Sequence, residues 1–180
     1  MGDWLPQIPR AGLGWLELIS GRETWRERFV FTREGLGIAL ALYGLVVLLL
    51  IFVTGLRRGA LTGYADTFLG VLTIGLQIVA VALVFMVTRW VLGLRFRPIE
   101  LMVPAVHALV YFQILGYLLA LISPVLSNAA LGMFGYEMYR LGRMGADLNL
   151  PTSIAFGALC ALVLVLHVHG LYMLAAPPPA

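Results

Sequence analysis

The chain contains no lysine, a single cysteine and few charges of either sign. Its twelve basic residues are all arginine and stand against nine acids, leaving a formal net charge of only +3. Nucleic-acid binding needs basic side chains gathered on one polar face. Here they sit beside the ends of apolar runs, which excludes that class of partner. Cys160 lies inside an apolar run, so it forms no intrachain disulfide, supplies no thiolate cluster for a metal, and is read as a small buried hydrophobe. Also absent are a phosphate-binding P-loop, a dinucleotide fingerprint and an HExxH helix. Residues 1–33 lack the pattern of a secretory signal, because they mix Asp3, Glu17, Glu23 and Glu27 with five arginines. The N-terminal segment is therefore expected to be retained.

Apolar residues are abundant. The chain is 61% hydrophobic and 12% charged, with a mean hydropathy of +0.96, whereas about a quarter of a soluble domain is charged. This predicts an all-α integral membrane protein, a multi-pass helical bundle. Four apolar runs, residues 35–56, 67–88, 101–126 and 154–176, are each long enough to cross a hydrocarbon core of about 30 Å at about 1.5 Å per residue. Thr32 and Glu34 open the first, and Arg57 and Arg58 close it. Asp66 precedes the second, which ends at Arg89 and Trp90. Pro98 and Pro104 fall where a missing N–H matters little in the third, and Pro124 ends or kinks it. Asn149 and Pro151 start the fourth, and three prolines stop it.

Two further stretches are amphipathic. Within residues 129–147, Leu131, Phe134, Met138 and Leu141 recur at helical spacing opposite Glu137, Arg140 and Arg143, the pattern of an interfacial helix or one packed on the bundle's end. The N-terminal stretch carries Leu13, Leu16 and Ile19, then Trp25 and Phe29 among charges. The expected organisation is an amphipathic N-terminal segment over 1–33, a transmembrane domain of about four helices over 34–176 with an interfacial helix at 129–147, and a proline-rich tail at 177–180. All four tryptophans, Trp4, Trp15, Trp25 and Trp90, fall outside the runs or at an end. With the N-terminal segment in the cytoplasm, eight arginines lie inside (10, 22, 26, 28, 33, 89, 95, 97) against four outside (57, 58, 140, 143). The expectation is a bacterial inner-membrane protein with both termini cytoplasmic.

Candidate chemistry is sparse. On this assignment none of the acids lies deep in a span, which argues against a pump or ion-coupled transporter. His107 lies roughly 9 Å into the third span, and His167 and His169 roughly 13 and 10 Å from the end of the fourth. One leaflet would hold all three, as a bis-histidine haem b would need. The alternative is packing, with the imidazoles hydrogen-bonded to backbone, to Tyr111 or to headgroups. Zinc fits worse, for want of inward cysteine or carboxylate. A serine hydrolase fits poorly too, because Ser123, Ser127 and Ser153 fall towards the opposite leaflet. Gln77 and Gln113 share a mid-membrane level, where an inter-helix hydrogen bond is the simplest use and a solute or lipid permease site the alternative. Gly37, Ala41 and Gly44, and again Gly157 and Ala161, mark close-packing faces inside the bundle or against another chain.

The layout from Phe68 to Ile122, a charge-free helix ending in Arg89, a short Arg95-Phe96-Arg97 turn and a second long helix, resembles bacterial Yip1-like multi-pass proteins. The resemblance implies about five spans and a non-enzymatic membrane component without catalytic residues. The leading expectation is a non-catalytic accessory, assembly or scaffolding subunit without a cofactor, whose partners are the lipid bilayer and other membrane subunits or copies of itself. A haem b carrier using His107 with His167 or His169 is the runner-up, and a small-solute or lipid permease is the third reading.

Overall fold

The computed structural model describes residues 7–57, 64–94, 96–123 and 125–175 and, within them, the side chains of all but residues 7, 64–70, 73, 74 and 167–175. Trp4, Arg58, Arg95, Pro124 and the 177–180 tail thus lie outside the described residues, as do the side chains of Asp66, His167 and His169. Among the described residues every regular element is helical: α1 (Gln7–Ile19), a 3-10 turn (Glu23–Arg28), α2 (Arg33–Arg57), α3 (Tyr64–Leu92), α4 (Pro98–Ile122), α5 (Ser127–Gly145) and α6 (Leu150–Ala175). Among the described residues three stretches are long and apolar enough to cross a membrane: Arg33–Arg57, Gly75–Leu92 and Pro98–Ile122. Helix α6 runs for 26 residues and is apolar over Leu150–Leu166.

The starts and stops follow local chemistry. Thr32 Oγ1 accepts the Gly35 N–H at 3.0 Å, capping α2. Gly35 has no room for a side chain, because a Cβ there would collide with the Val30 carbonyl oxygen. Asn149 Oδ1 accepts the Thr152 N–H at 3.0 Å to start α6. Between α5 and α6, Asp147 adopts φ 52°, a left-handed conformation that Asp tolerates better than most residues. The Leu148 N–H then reaches back to the Gly142 carbonyl at 3.1 Å, using one of the orphan carbonyls at the end of α5.

Short connections make consecutive helices antiparallel, and packing arranges α2, α4, α5, α6 and α3 in that order around a ring. Helix α3 closes the ring against α2 and also touches α4. The N-terminal half of α4 forms the heart of the core, with Leu101 and every residue from Val103 to Val110 buried.

Helix α5 differs from the interfacial expectation. It lies lengthwise between α4 and α6, and it keeps one antiparallel register with α4 throughout. Gly116 stands opposite Ala130, Phe112 opposite Phe134 with ring centroids 5.6 Å apart, and Leu101 opposite Gly145. From Leu101 to Gly116 that register runs about 22 Å. On the other side, Gly157 of α6 lies so close to α5 that a Cβ would collide with the Gly135 carbonyl oxygen and stand 2.8 Å from the Tyr139 amide nitrogen. Small residues on both helices permit this approach. Glu137, expected on the polar face, is buried at 8% exposure within the stripe Ala130, Phe134, Glu137, Leu141 and Gly145. The outward face of α5 shows Ala129, Gly132, Met133 and Tyr136, with Asn128 and Arg143 exposed near its two ends.

The small-residue faces divide. Gly157 and Ala161 are used inside the molecule, against Gly135 and Tyr139. Gly37 and Gly44 face open space, with no atom within 4 Å of a Cβ placed on either, and Ala41 between them is exposed. Replacing Gly157 with Ala should therefore destabilise the bundle by about 1–3 kcal/mol through overpacking. Gly44→Ala should leave it unchanged or slightly more stable, since Ala is the better helix former. Thermal unfolding of both variants in one detergent checks the contrast.

Candidate functional site

The N-terminal segment folds as a cap over one end of the bundle. The buried face of α1 is Ala11, Trp15 and Leu18, whereas Leu13 and Leu16 point outwards at 49% and 62% exposure. Of the apolar residues in the sequence pattern, Ile19 packs against the core and Trp25 and Phe29 are buried, while Leu13 and Leu16 are not part of the packed face. Small Gly12 and Gly14 allow α1 to sit close, Gly14 so close that a Cβ would stand 2.6 Å from the Phe29 ring.

Side chains tie the cap to backbone carbonyls of the bundle, and the bundle to the cap. Trp15 Nε1–H donates to the Pro104 carbonyl at 3.2 Å. The Arg140 guanidinium donates to the Leu18 carbonyl from Nε at 3.2 Å and Nη2 at 3.0 Å, placing a cation at the negative end of α1. Arg26 Nη2 donates to the Met144 carbonyl at 3.2 Å and the Gly145 carbonyl at 3.5 Å, doing the same for α5. On the cap's surface Glu17 pairs with Arg28 at 2.8 Å. The hydrogen bond from Arg28 holds the Glu17 carboxyl below its usual range, and Glu17 in turn raises Arg28. That pair's contribution is present above the ordinary carboxylate range and lost as pH falls through the lowered value; its exposure keeps the effect small.

Beneath the cap lies an aromatic cluster. Phe29 packs edge-on against Trp15 and Trp25, with centroids 6.4 and 6.1 Å away, and against His107 at 5.8 Å. His107 Nδ1 lies 2.9 Å from the Val103 carbonyl, so that nitrogen carries the proton and donates. The ring is 4% exposed and directed at the cap, not at α6, and α5 lies between α4 and α6. In the haem reading this ring would be paired with one on α6. The other two ring positions in that reading, His167 and His169, lie outside the described side chains.

Gln77 and Gln113 meet, with the Gln113 amide donating to Gln77 Oε1. Tyr43 of α2, which the sequence reading did not single out, donates its hydroxyl to the same oxygen at 3.0 Å. Gln113 Nε2 also stands 3.4 Å from the Tyr43 hydroxyl. One polar junction therefore joins α2, α3 and α4. Its groups are turned on one another, which suits a lock between helices better than a solute site.

A second constellation also escaped the sequence reading. Tyr111 of α4 donates its hydroxyl to the Ile8 carbonyl at 3.4 Å, tucked under the first turn of α1, and lies within electrostatic reach of Glu137. The available signal was the spacing of residues 130, 134, 137, 141 and 145, which puts Glu137 on the packed stripe. Among the described residues no cluster of three or more His, Cys, Asp or Glu forms a metal-ligand set.

No protein-family model, curated protein or solved structure matches this chain. Its geometry alone bears on function.

If the polar junction is a lock, Gln77→Leu should lower stability by about 1 kcal/mol, because Tyr43 and Gln113 lose their common acceptor. The double variant Gln77→Leu with Gln113→Leu should lose less than the sum of the two single changes. Reversible unfolding in mixed micelles, run as a double-mutant cycle, measures both.

Proposed function

We propose that the chain is a non-catalytic protein of the bacterial inner membrane that crosses it five times and acts by lateral association, as an accessory, assembly or scaffolding subunit. The observation that carries this reading is the unfilled face of α2. Gly37, Ala41 and Gly44 recur at i, i+4 and i+7, the spacing that lets two helix backbones approach, yet among the described residues no atom fills the space beside either glycine. The equivalent face of α6 is already occupied by α5. A second copy or another membrane subunit fits the open one.

Membrane insertion is supported by the exposed apolar residues, which include Leu45, Leu48 and Phe52 on α2, Leu83 and Val87 on α3, and Leu159 and Leu162 on α6. Five crossings, not four, are supported by the lengthwise register of α5 with α4 and by its apolar outward face. The resemblance to Yip1-like proteins points to the same number. With five crossings, Arg140 and Arg143 join the end that holds the cap. Among the described arginines, nine (10, 22, 26, 28, 33, 89, 97, 140, 143) then lie at that end and Arg57 alone at the other. By the positive-inside rule this distribution supports a cytoplasmic cap. The C-terminal end of α6 then faces the opposite side, unlike the sequence expectation of two cytoplasmic termini.

Reporter fusions after residue 175 check the orientation: a periplasm-active enzyme should be active there and a cytoplasm-dependent fluorophore dark, and the reverse result removes the fifth crossing. For association, Gly37→Leu with Gly44→Leu should leave the folded monomer intact and abolish its co-purifying chain or its dimer in native extraction. An unchanged assembly would mean that α2 is not the contact face.

A further inference from the structure

Glu137 is the one described acid buried in the bundle. Eight residues separate it from the last residue of α5 and ten from the first, so it lies about 12 Å from one end and about 15 Å from the other. Its stripe faces α4, and the register sets it beside Leu109 and Tyr111. Among the described residues the carboxyl has neither an arginine nor a hydrogen-bond donor as partner. An unpaired carboxylate in such a place is strongly disfavoured, and intramembrane acids of this kind are kept for function.

The titratable and charged groups around it are few. Helix α4 contributes Tyr111 and, one turn nearer the cap, His107, which would gain its charge on acidification and so respond in the opposite direction. On α5, Arg140 is committed to the Leu18 carbonyl and Arg143 to the Leu148 carbonyl at 2.8 Å. Helix α1 carries Arg10 and Glu17, the latter paired with Arg28, and α6 carries no charged group over residues 150–166. Tyr111 links the acid to the cap, because its hydroxyl reaches the Ile8 carbonyl and lies 3.4 Å from where a Gly12 Cβ would stand.

We propose that Glu137 is a proton-binding site that controls the docking of α1: it holds its proton while α1 is seated on Tyr111, and its ionisation releases the first turn of α1. The ligand is a proton, given up to water as the carboxylate forms. An ionised Glu137 competes, as a charged acceptor within electrostatic reach, for the Tyr111 hydroxyl proton that otherwise goes to the Ile8 carbonyl. The inference rests on α5 lying within the membrane, which the fusion reporters test independently.

The test uses the full chain in phosphatidylcholine vesicles. In the infrared spectrum at about pH 7, wild type should show a carboxylic-acid carbonyl band that Glu137→Gln lacks. Raising the pH to about 10, beyond the range known for buried Glu, should remove the band. Over the same interval, a spin label on Leu13→Cys should become severalfold more mobile in the wild-type background and stay fixed with Glu137→Gln. Absence of a band difference at neutral pH, or an equal rise in mobility in both backgrounds, overturns the proposal. Should Glu137→Gln fail to fold, Tyr111→Phe serves instead. It should keep the acid band while α1 is already mobile at neutral pH, and an α1 that stays fixed in it breaks the proposed link.

Discussion

Two helix backbones come close together where Gly157 of α6 lies against Gly135 and Tyr139 of α5. Much else depends on it. Dispersion forces between packed helices are individually small and fall off steeply with distance, so a hairpin that closes this tightly behaves as one rigid slab. That slab gives α4 a second wall, opposite α2, and keeps α5 upright along its whole length. Lying along α4, α5 brings Arg140 and the carbonyls of Met144 and Gly145 to the level at which the N-terminal cap meets them. The helix pair that sets the interior geometry thereby also sets the position of the cap.

The helices themselves were readable from the chain because length, hydropathy and local capping act over a few residues. Thr32 and Asn149 cap where their side chains predict, and the Gln77 and Gln113 levels coincide because rise per residue is nearly constant along a helix. What sequence did not disclose was neighbourhood. Residues 129–147 have the apolar spacing of a surface helix, and two arginines and an acid made a polar face plausible. Yet Arg140 and Arg143 reach along the helix to carbonyls near its end, while Glu137 turns inward. Long arginine side chains can sit on a buried helix if their guanidinium groups find acceptors. The acceptors are carbonyls more than a hundred residues away in the case of Arg140, which no local pattern records. On α1 the pattern Leu13, Leu16 and Ile19 is met by Ile19 alone, and the small Ala11 and Gly14 share the buried face with Trp15 and Leu18.

The candidate sites follow the same division. Tyr43 joined Gln77 and Gln113 unannounced, because an aromatic hydroxyl in an apolar run is compatible with lipid, headgroup or partner helix until its neighbours are known. His107 attracted attention as a rare ionisable group, and its surroundings turned out to be aromatic packing beneath the cap. The buried acid was the more unusual feature, concealed by the charged residues next to it in sequence.

The cap's anchors also impose an order of assembly. Arg26 is held by carbonyls 118 and 119 residues further along the chain, and the Leu18 carbonyl by an arginine 122 residues further. During synthesis at about 5–20 residues per second, these partners emerge on the order of ten seconds after the segment that needs them. The cap segment therefore leaves the ribosome well before it can take its final place. In that interval its tryptophans and its outward leucines have only the membrane surface or a chaperone to cover them.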